Sequence, residues 1–442
     1  MARPRIIPIN ESLQSLFPTR LLKGWARTYG AVRRERKVNI TTLFWSLVLG
    51  FGVGRARTLS GLRREYEQCS GHSLEESSFY DRFNAGLARM MRQAAIEALE
   101  KMAGCLGGLK GVLAPFRDLL ITDSTVMKLH DMLESKFPGC RTNHSRAAMK
   151  LHMVMSVAGT GGNSIRLTDG RRHDCRMLHI GEWVRGSLLL FDLGYFSYRI
   201  FSRIDGFGGY FVSRLKDNAN PQITKLLRIC RGRSIDLVGR NLKEVQELLR
   251  RETVDAEVGV SFRRRRYLGR TSPGQMTLRL VGVRDEQRDE YHFYLTNVPN
   301  DRLTAEEVAG VYAARWQIEL VFKELKSHYR MADLPSRNRH VVEALVYAAI
   351  ITLVVSRRIL TLAKAKLREK AERMHDQRWA ILFAEVSRRI LLIMTRPKNE
   401  TRWALRSLCM FLFAEAPDPN CDRPSLLKAV EFGTHRYCMA SA

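Results

Sequence analysis

The chain of 442 residues carries 8 cysteines, at positions 69, 105, 140, 175, 230, 409, 421 and 438, and no two stand in a C-x-x-C spacing. Neither a zinc knuckle nor a disulfide framework is signalled, which predicts reduced thiols in a cytoplasmic protein. No apolar run is long and clean enough to cross a bilayer. The longest, 341–355, contains Glu343 and is flanked by His340 and Arg357; it falls short of the roughly 20 apolar residues a crossing needs and predicts a buried helix. The first ten residues are basic but have neither an apolar stretch nor a small-residue cleavage site, so no export signal is expected. Internal repeats and low-complexity tracts are absent, which sets aside solenoids and arrays.

Acid is the scarce commodity. Against 73 Lys plus Arg stand only 45 Asp plus Glu, a formal net charge of +28. Such a surface attracts polyanions, and with no membrane segment the expected polyanion is nucleic acid. With 45% hydrophobic and 27% charged residues the composition is globular, excluding wholesale disorder. At roughly 100 to 200 residues per domain, the length allows two to four domains, each with a core.

The texture changes along the chain. Residues 19–29, 40–51, 58–66 and 75–102 carry apolar residues at helical spacing, and 13 Lys plus Arg precede residue 65 against only Glu11 and Glu35. This predicts a basic helical DNA-binding domain over 1–111, with 58–66 and 75–83, separated by Ser70-Gly71-His72, as candidate recognition helices. Short apolar runs at 119–126, 150–157, 164–168, 187–194 and 209–215 read as strands, with helices at 177–185 and 198–205 between them, the pattern of an α/β layer on a mixed sheet. A helical connector is expected over 223–249, then hairpin strands at 256–267, 276–284 and 292–297. Four consecutive arginines, 263–266, lie in the first of these and suggest a phosphate clamp, because alternating strand residues cannot all meet base edges. Everything from Thr304 on reads as helix, notably 340–363 and 379–394. The domains expected are thus 1–111; a core of 112–218 with 300–355; a mostly β insertion, 219–299; and a helical region, 356–442.

Three carboxylates stand out by position, although each of the two aspartates taken singly also has a bland reading as a strand-end or turn residue. Asp123 follows Leu119-Leu120-Ile121-Thr122, and Asp192 follows Leu188-Leu189-Leu190-Phe191; an acid ending an apolar strand is costly unless water, a hydrogen bond or a metal receives it. The third is Glu319. Thr304 with Glu307 is a capping-box signature that starts a helix. At about 100° per residue Tyr312, Arg315, Glu319 and Lys326 project to roughly 0°, 300°, 340° and 320°, one stripe of about 60°. A solvated salt-bridged face is the bland reading. A phenol, a guanidinium, a carboxylate and an ammonium, edged by Trp316 and Phe322, instead suit a phosphodiester: carboxylate for metal, cations for phosphate oxygens, aromatics for a base face.

The spacing Tyr312-x2-Arg315-x3-Glu319-x6-Lys326 resembles the Y-R-E-K signature of cut-and-paste insertion-sequence transposases of the DDE type. Asp123 in Ile-Thr-Asp-Ser-Thr and Asp192 in Phe-Asp-Leu-Gly-Tyr-Phe resemble that family's first and second catalytic aspartates. Leu167-Thr-Asp-Gly-Arg-Arg-His-Asp174 and Thr296-Asn-Val298 are similar to family segments as well. The resemblance implies a ribonuclease-H-like core with a β insertion between Asp192 and Glu319. It also implies two Mg2+ ions, replaceable by Mn2+, on Asp123, Asp192 and Glu319, with Tyr312, Arg315, Trp316 and Lys326 against DNA. His173 and His328 are then expected as structural or DNA-contacting groups rather than ligands. The implied partners are double-stranded DNA, as terminal inverted repeats and target, and a second protomer in the synaptic complex. Two other readings use the same fold: a domesticated DNA-binding protein, marked by loss of a carboxylate that is here present, and a stand-alone nuclease.

Overall fold

The computed structural model describes residues 8–32, 38–54, 56–103, 109–140, 145–159, 163–227, 236–264, 271–285, 290–334 and 336–418. Helices α1 (Ile9–Leu16), α2 (Thr19–Thr28), α3 (Ile40–Ser46), α4 (Leu59–Ser70), α5 (Glu76–Tyr80) and α6 (Ala85–Ala103) come before the sheet. Its strands are β1 (Leu119–Lys128), β2 (Ala148–Ser156), β3 (Ser164–Asp169), β4 (Leu188–Phe191), β5 (Tyr210–Arg214), β6 (Gln222–Leu226), β7 (Thr253–Arg263), β8 (Pro273–Asp285) and β9 (Glu290–Thr296). Helices α7 (Asp174–Met177), α8 (Tyr198–Gly206) and α9 (Leu242–Val245) lie between strands. After them come α10 (Ala305–Ala313), α11 (Trp316–Ser327), α12 (Arg339–Leu367), α13 (Asp376–Thr395) and α14 (Lys398–Glu415).

Side-chain caps start α3, α4 and α6. Asn39 Oδ1 accepts from the Thr41 and Thr42 amides at 2.9 and 3.2 Å to start α3, and Thr58 Oγ1 accepts from Gly61 N–H at 3.0 Å to start α4. The helix expected over 75–102 is interrupted, because Asn84 Oδ1 takes the Leu87 amide at 3.0 Å and begins α6 afresh. Past α3 the chain widens into a π turn, Leu47–Phe51. The Val48 carbonyl there accepts the Thr352 hydroxyl of α12 at 2.6 Å. Gly52 permits that approach, since a Cβ at this position would lie 1.8 Å from Thr352 Oγ1.

One nine-stranded sheet runs in the order β3-β2-β1-β4-β5-β9-β8-β7-β6. Strands β1, β4 and β5 are parallel neighbours, β2 and β3 turn antiparallel on one side, and β9, β8, β7 and β6 continue antiparallel on the other. The expected α/β class with a mixed sheet is therefore present, and the strands expected in an insertion extend the core sheet through β5 and β9. Two details differ from expectation. Residues 222–226, where the helical connector was to begin, form edge strand β6; Ile223, Leu226 and Leu227 imitate helical spacing, but pairing with β7 wins. Of the helix expected over 177–185 only a 3-10 turn, Glu182–Val184, forms, behind Gly181. Of the arginine run, Arg263 ends β7 and Arg264 follows it, while Arg265 and Arg266 lie outside the described residues.

Alternate sheet positions feed two cores. Leu119, Ile121, Leu188, Leu190 and Val212 pack toward α12, whereas Leu120, Leu189, Phe191 and Phe211 pack toward α8. Helix α12 is apolar enough along its length for a membrane span, yet it is the central core helix, packed by α6, α11, α13 and the π turn. The residues that carry α10 are tied to the sheet by one buried guanidinium. Arg279 on β8 grips Asp255 on β7 through Nε–Oδ1 and Nη2–Oδ2 at 2.8 and 2.7 Å, and donates Nη1–H to the Val298 and Leu303 carbonyls at 3.2 and 2.7 Å.

Both side chains of that pair are under 10% exposed, so removing the carboxylate strands a buried charge, at a cost of roughly 3 to 5 kcal/mol. Asp255→Asn is expected to lower the thermal midpoint by about 5 °C or more in a circular-dichroism melt. A change below about 1 °C would show that the guanidinium finds compensation elsewhere.

Candidate active site

The same alternation that builds the α12-facing core delivers two aspartates to that face. Asp123 continues the set Leu119, Ile121 on β1, and Asp192 continues the set Leu188, Leu190 one residue past the end of β4. Because β1 and β4 run parallel with Thr122 opposite Phe191, the two carboxylates emerge side by side where that ladder stops at the carboxyl end of β4, the edge at which open α/β sheets bind their ligands. Asp123 does not end its strand as expected, since β1 runs on to Lys128 paired with β2. Asp192 also starts the 3-10 turn Leu193–Tyr195.

Glu319 comes from α11, which packs over β1. The expected capping box is formed: Thr304 Oγ1 accepts from Glu307 N–H at 3.2 Å and Glu307 Oε2 from Thr304 N–H at 2.7 Å. The helix so begun is not continuous to Lys326, as the projection assumed. At Ala314 and Arg315 the ladder tightens, the amides of Ala314, Arg315, Gln317 and Ile318 each bonding three residues back. Tyr312 turns inward at this joint. Its hydroxyl donates to the Phe191 carbonyl at 3.0 Å and its ring packs on Tyr294 at 5.1 Å; burial raises its pKa to about 12, with the Arg315 charge opposing. Behind the site, Arg357 of α12 bridges buried Glu324 of α11 to Asp376 of α13, fixing α11 against the helical core.

Arg315 is the cation among the acids. Its Nη1 lies 2.5 Å from Glu319 Oε1 and 3.9 Å from Asp123 Oδ2, and its buried Nε–H has no acceptor among the described residues. Burial would lower its pKa, but Tyr312, Glu319 and Asp192 outweigh that and raise it. Asp123 is only 14% exposed, and burial above all pushes its pKa up to about 7. The Ser124 amide, 2.6 Å from Oδ1, pulls it down, Asp192 raises it, Arg315 lowers it and Glu319 raises it again. Three carboxylates thus crowd one end of the sheet with one guanidinium between two of them.

An open cleft of about 530 Å3 runs alongside, lined by Asp123, Ser124, Glu319, Phe322, Lys323 and Lys326 among others. Lys326 is half-buried, and desolvation lowers its pKa against the pull of Asp123. Lys323 was missed by the sequence reading, although its i,i+4 spacing from Glu319 was the signal that could have found it. Tyr312, Arg315 and Trp316 do not line the cleft; Trp316 is 40% exposed at the first turn of α11. His173 stands at the N-cap position of α7 without a side-chain capping bond, and His328 stands at the carboxyl end of α11.

As they stand, no three acidic, histidine or cysteine side chains among the described residues converge as they would around an ion, since Arg315 occupies the space between Asp123 and Glu319. The donor set nevertheless suits a hard divalent cation: carboxylate oxygens, no thiol, and an excess of negative charge that already draws a cation in. The N-terminal helices show a different distribution of charge from the one expected. Across 58–83 three arginines (Arg63, Arg64, Arg82) face five acids (Glu65, Glu67, Glu75, Glu76, Asp81), so the candidate recognition helices are not the basic ones. Residues 12–32 contain no acid, and Arg20, Lys23 and Arg27 share one face of α2, lining a shallow groove of about 480 Å3.

Comparison with known proteins bears on this geometry directly. The transposase for insertion sequence element IS1151 of Clostridium perfringens is 24% identical over 372 residues, covering 77% of this chain and 78% of that protein. The transposases for elements IS231F and IS231B of Bacillus thuringiensis are 23% and 22% identical over 375 and 381 residues, each match covering 78% of both chains. The family profile described as Transposase DDE domain matches residues 114–355, which contain Asp123, Asp192, the whole sheet and Glu319. That match takes in more than half of the chain, and the protein belongs to the DDE transposase family.

Proposed function

We propose that this transposase binds the terminal inverted repeats of its insertion sequence and carries out magnesium-dependent strand cleavage and strand transfer, with Asp123, Asp192 and Glu319 as the catalytic carboxylates. The observation that carries the reading is the gathering of these side chains, from two parallel strands and the first turn of α11, at the mouth of a lysine-lined cleft. The three carboxylates would hold two Mg2+ or Mn2+ ions, which supply activation of the attacking oxygen and stabilisation of the leaving one in an in-line displacement.

The chain's own residues do the rest. Lys323 and Lys326 line the cleft where a phosphodiester would lie, and Arg315, with its unsatisfied Nε–H, is placed to exchange its carboxylate contacts for phosphate oxygens. We assign Tyr312 to bracing the joint between α10 and α11 against β4, and Trp316 to the DNA-facing edge. In the N-terminal region we assign phosphate contact to α2. Arg20 stands in its first turn, where the helix dipole repels cations, and that placement makes sense for an external anion. Gly24 between the basic side chains has nothing within 4 Å of its missing Cβ, which leaves room for a DNA backbone to approach. Pairing two element ends for strand transfer calls for at least two protomers in the complex.

Asp123→Ala, Asp192→Ala and Glu319→Ala are each expected to lower cleavage of cognate DNA by several decades while gel-shift affinity stays within a few-fold. Any one of them cutting at near wild-type rate leaves the proposed site.

The pKa of Asp123 adds a pH signature. In the fold it is raised from 3.8 to about 7, so between those values the folded state holds a proton that the unfolded chain has released, and stability falls as pH rises. Metal-free protein should therefore melt progressively lower from pH 4 to 7. Asp123→Asn should flatten that slope, and divalent-ion affinity should tighten up to about pH 7 as the competing proton leaves. Parallel melting curves for both proteins across the range would refute this account.

Removing all three charges of the α2 face (Arg20→Ala, Lys23→Ala, Arg27→Ala) is expected to weaken DNA binding and flatten the log–log salt dependence by about 2 to 3 units of slope. An unchanged slope in a fluorescence-anisotropy titration would move the phosphate contacts off α2.

A further inference from the structure

Behind the catalytic aspartates, on the opposite face of the sheet, a second polar cluster converges on Asp174. Ser124, the residue after Asp123, donates its hydroxyl to Asp174 Oδ1 at 2.8 Å. From β2, Lys150 Nζ reaches the same oxygen at 3.3 Å and His152 Nδ1 lies 3.4 Å away. His152 stands directly across the ladder from Ser124, and its Nε2 is 2.9 Å from Thr168 Oγ1 on β3. Lys150 also donates to the Arg172 carbonyl at 2.9 Å, anchoring the loop that presents Asp174.

The other aspartate is tied to the same hub. The turn that follows Asp192 runs through Gly194 and Tyr195. A Cβ at Gly194 would lie 2.8 Å from Asp174 Oδ2, and the nearest atoms around it all belong to Asp174. Tyr195, 2% exposed, buries its hydroxyl beside Ser124 and Asp174.

We propose that Asp174 is a positioning residue that sets the separation of Asp123 and Asp192 from behind the sheet, and so fixes the spacing of the ligands to a shared divalent ion. The inference rests on the metal-binding reading of those carboxylates given above. Like charges repel, and among the described residues the β1–β4 ladder ends at Thr122 and Phe191, one residue before the two aspartates. Past that point Asp174 links the two segments, bonded to the residue after one aspartate and set so close to the turn after the other that a Cβ at Gly194 would not fit between them. Ser124 relays the restraint, because its amide holds Asp123 Oδ1 while its hydroxyl is held by Asp174. Ligands to a metal tolerate displacements of only about 0.5 Å, so a hub that touches no substrate can still govern affinity.

The test uses the full chain and Mn2+, with free Mn2+ followed by electron paramagnetic resonance and stability by a metal-free melt. Asp174→Asn keeps an acceptor and the shape but removes the charge that holds Lys150. Gly194→Ala adds one methyl group aimed at Asp174, at a position whose φ is not left-handed. Both are expected to raise the Mn2+ concentration for half-saturation about tenfold or more, with DNA affinity unchanged. Asn39→Ala, which removes the cap of α3 in the N-terminal helices, should lower the melting midpoint without moving the Mn2+ curve. Wild-type Mn2+ curves for folded Gly194→Ala and Asp174→Asn would overturn the proposal. So would a shift in Asn39→Ala equal to theirs, since it would reflect lost stability alone. Should Asp174→Asn fail to fold, Gly194→Ala decides the matter by itself. If wild-type protein shows no Mn2+ binding that Asp123→Ala abolishes, the metal reading itself fails, and that outcome is distinct from wild-type binding that the hub variants leave untouched.

Discussion

Three carboxylates held at one end of a sheet repel one another, and the rest of the catalytic region is arranged around that repulsion. Asp123 shows its size: burial together with Asp192 and Glu319 raises the carboxyl to about 7, even though the Ser124 amide and Arg315 oppose the shift. A partly desolvated acid next to two others is stable in this form only by keeping its proton or by gaining a cation. Without a metal, the cation at hand is Arg315, in contact with Glu319 and within 4 Å of Asp123. A divalent ion brings more charge and more coordination than a guanidinium, so the arrangement favours exchange of one for the other.

That exchange depends on where Arg315 can go, which is set by the joint between α10 and α11. Tyr312 is pinned to the end of β4 through the Phe191 carbonyl, one residue before Asp192. The 3-10 tightening at Ala314 and Arg315 then swings the guanidinium toward the carboxylates, while Trp316 begins a new helix facing solvent. Glu319 is fixed to the other side by the Glu324–Arg357–Asp376 bridge, which ties α11 into the α12 and α13 core. Arg279 anchors the start of the same helical unit to β7 and β8. The strands that extend the sheet beyond β5 thereby share in placing Glu319, more than a hundred residues after Asp192 in the sequence.

How much of this was legible in the sequence follows from the range of each interaction. The apolar runs that end in Asp123 and Asp192 are local, and a buried strand leaves its mark in four or five residues; so does the Thr304 and Glu307 cap. The break at Arg315 left no mark, because neither Gly nor Pro causes it and the tether responsible joins Tyr312 to a carbonyl 121 residues away. Strand β6 was hidden by a chance helical spacing of apolar residues at an edge, where only pairing with β7 declares the conformation. The basic surplus of the N-terminal region was legible as a sum but not as a location. The acids of 58–83 cancel its arginines, while the uninterrupted basic face of α2 emerges once Leu22 and Ala26 are seen to be buried.

The Asp174 hub is the furthest from legibility, and the reason also explains its place in the fold. Its members come from β1, β2, β3 and the first residue of α7, so the bonded partners stand 16 to 50 residues apart in the sequence. Strand alternation nevertheless requires something at this spot. If odd positions on β1 carry Asp123 into the cleft, the hydroxyl of Ser124 beside it, a residue that itself borders the cleft, points to the opposite layer, where without a partner it would cost free energy. The polar front of the site thus forces a polar back. Once a charged acceptor and its lysine fill that back, the stretch of β1 past its ladder with β4 and the turn after β4 become parts of one rigid unit.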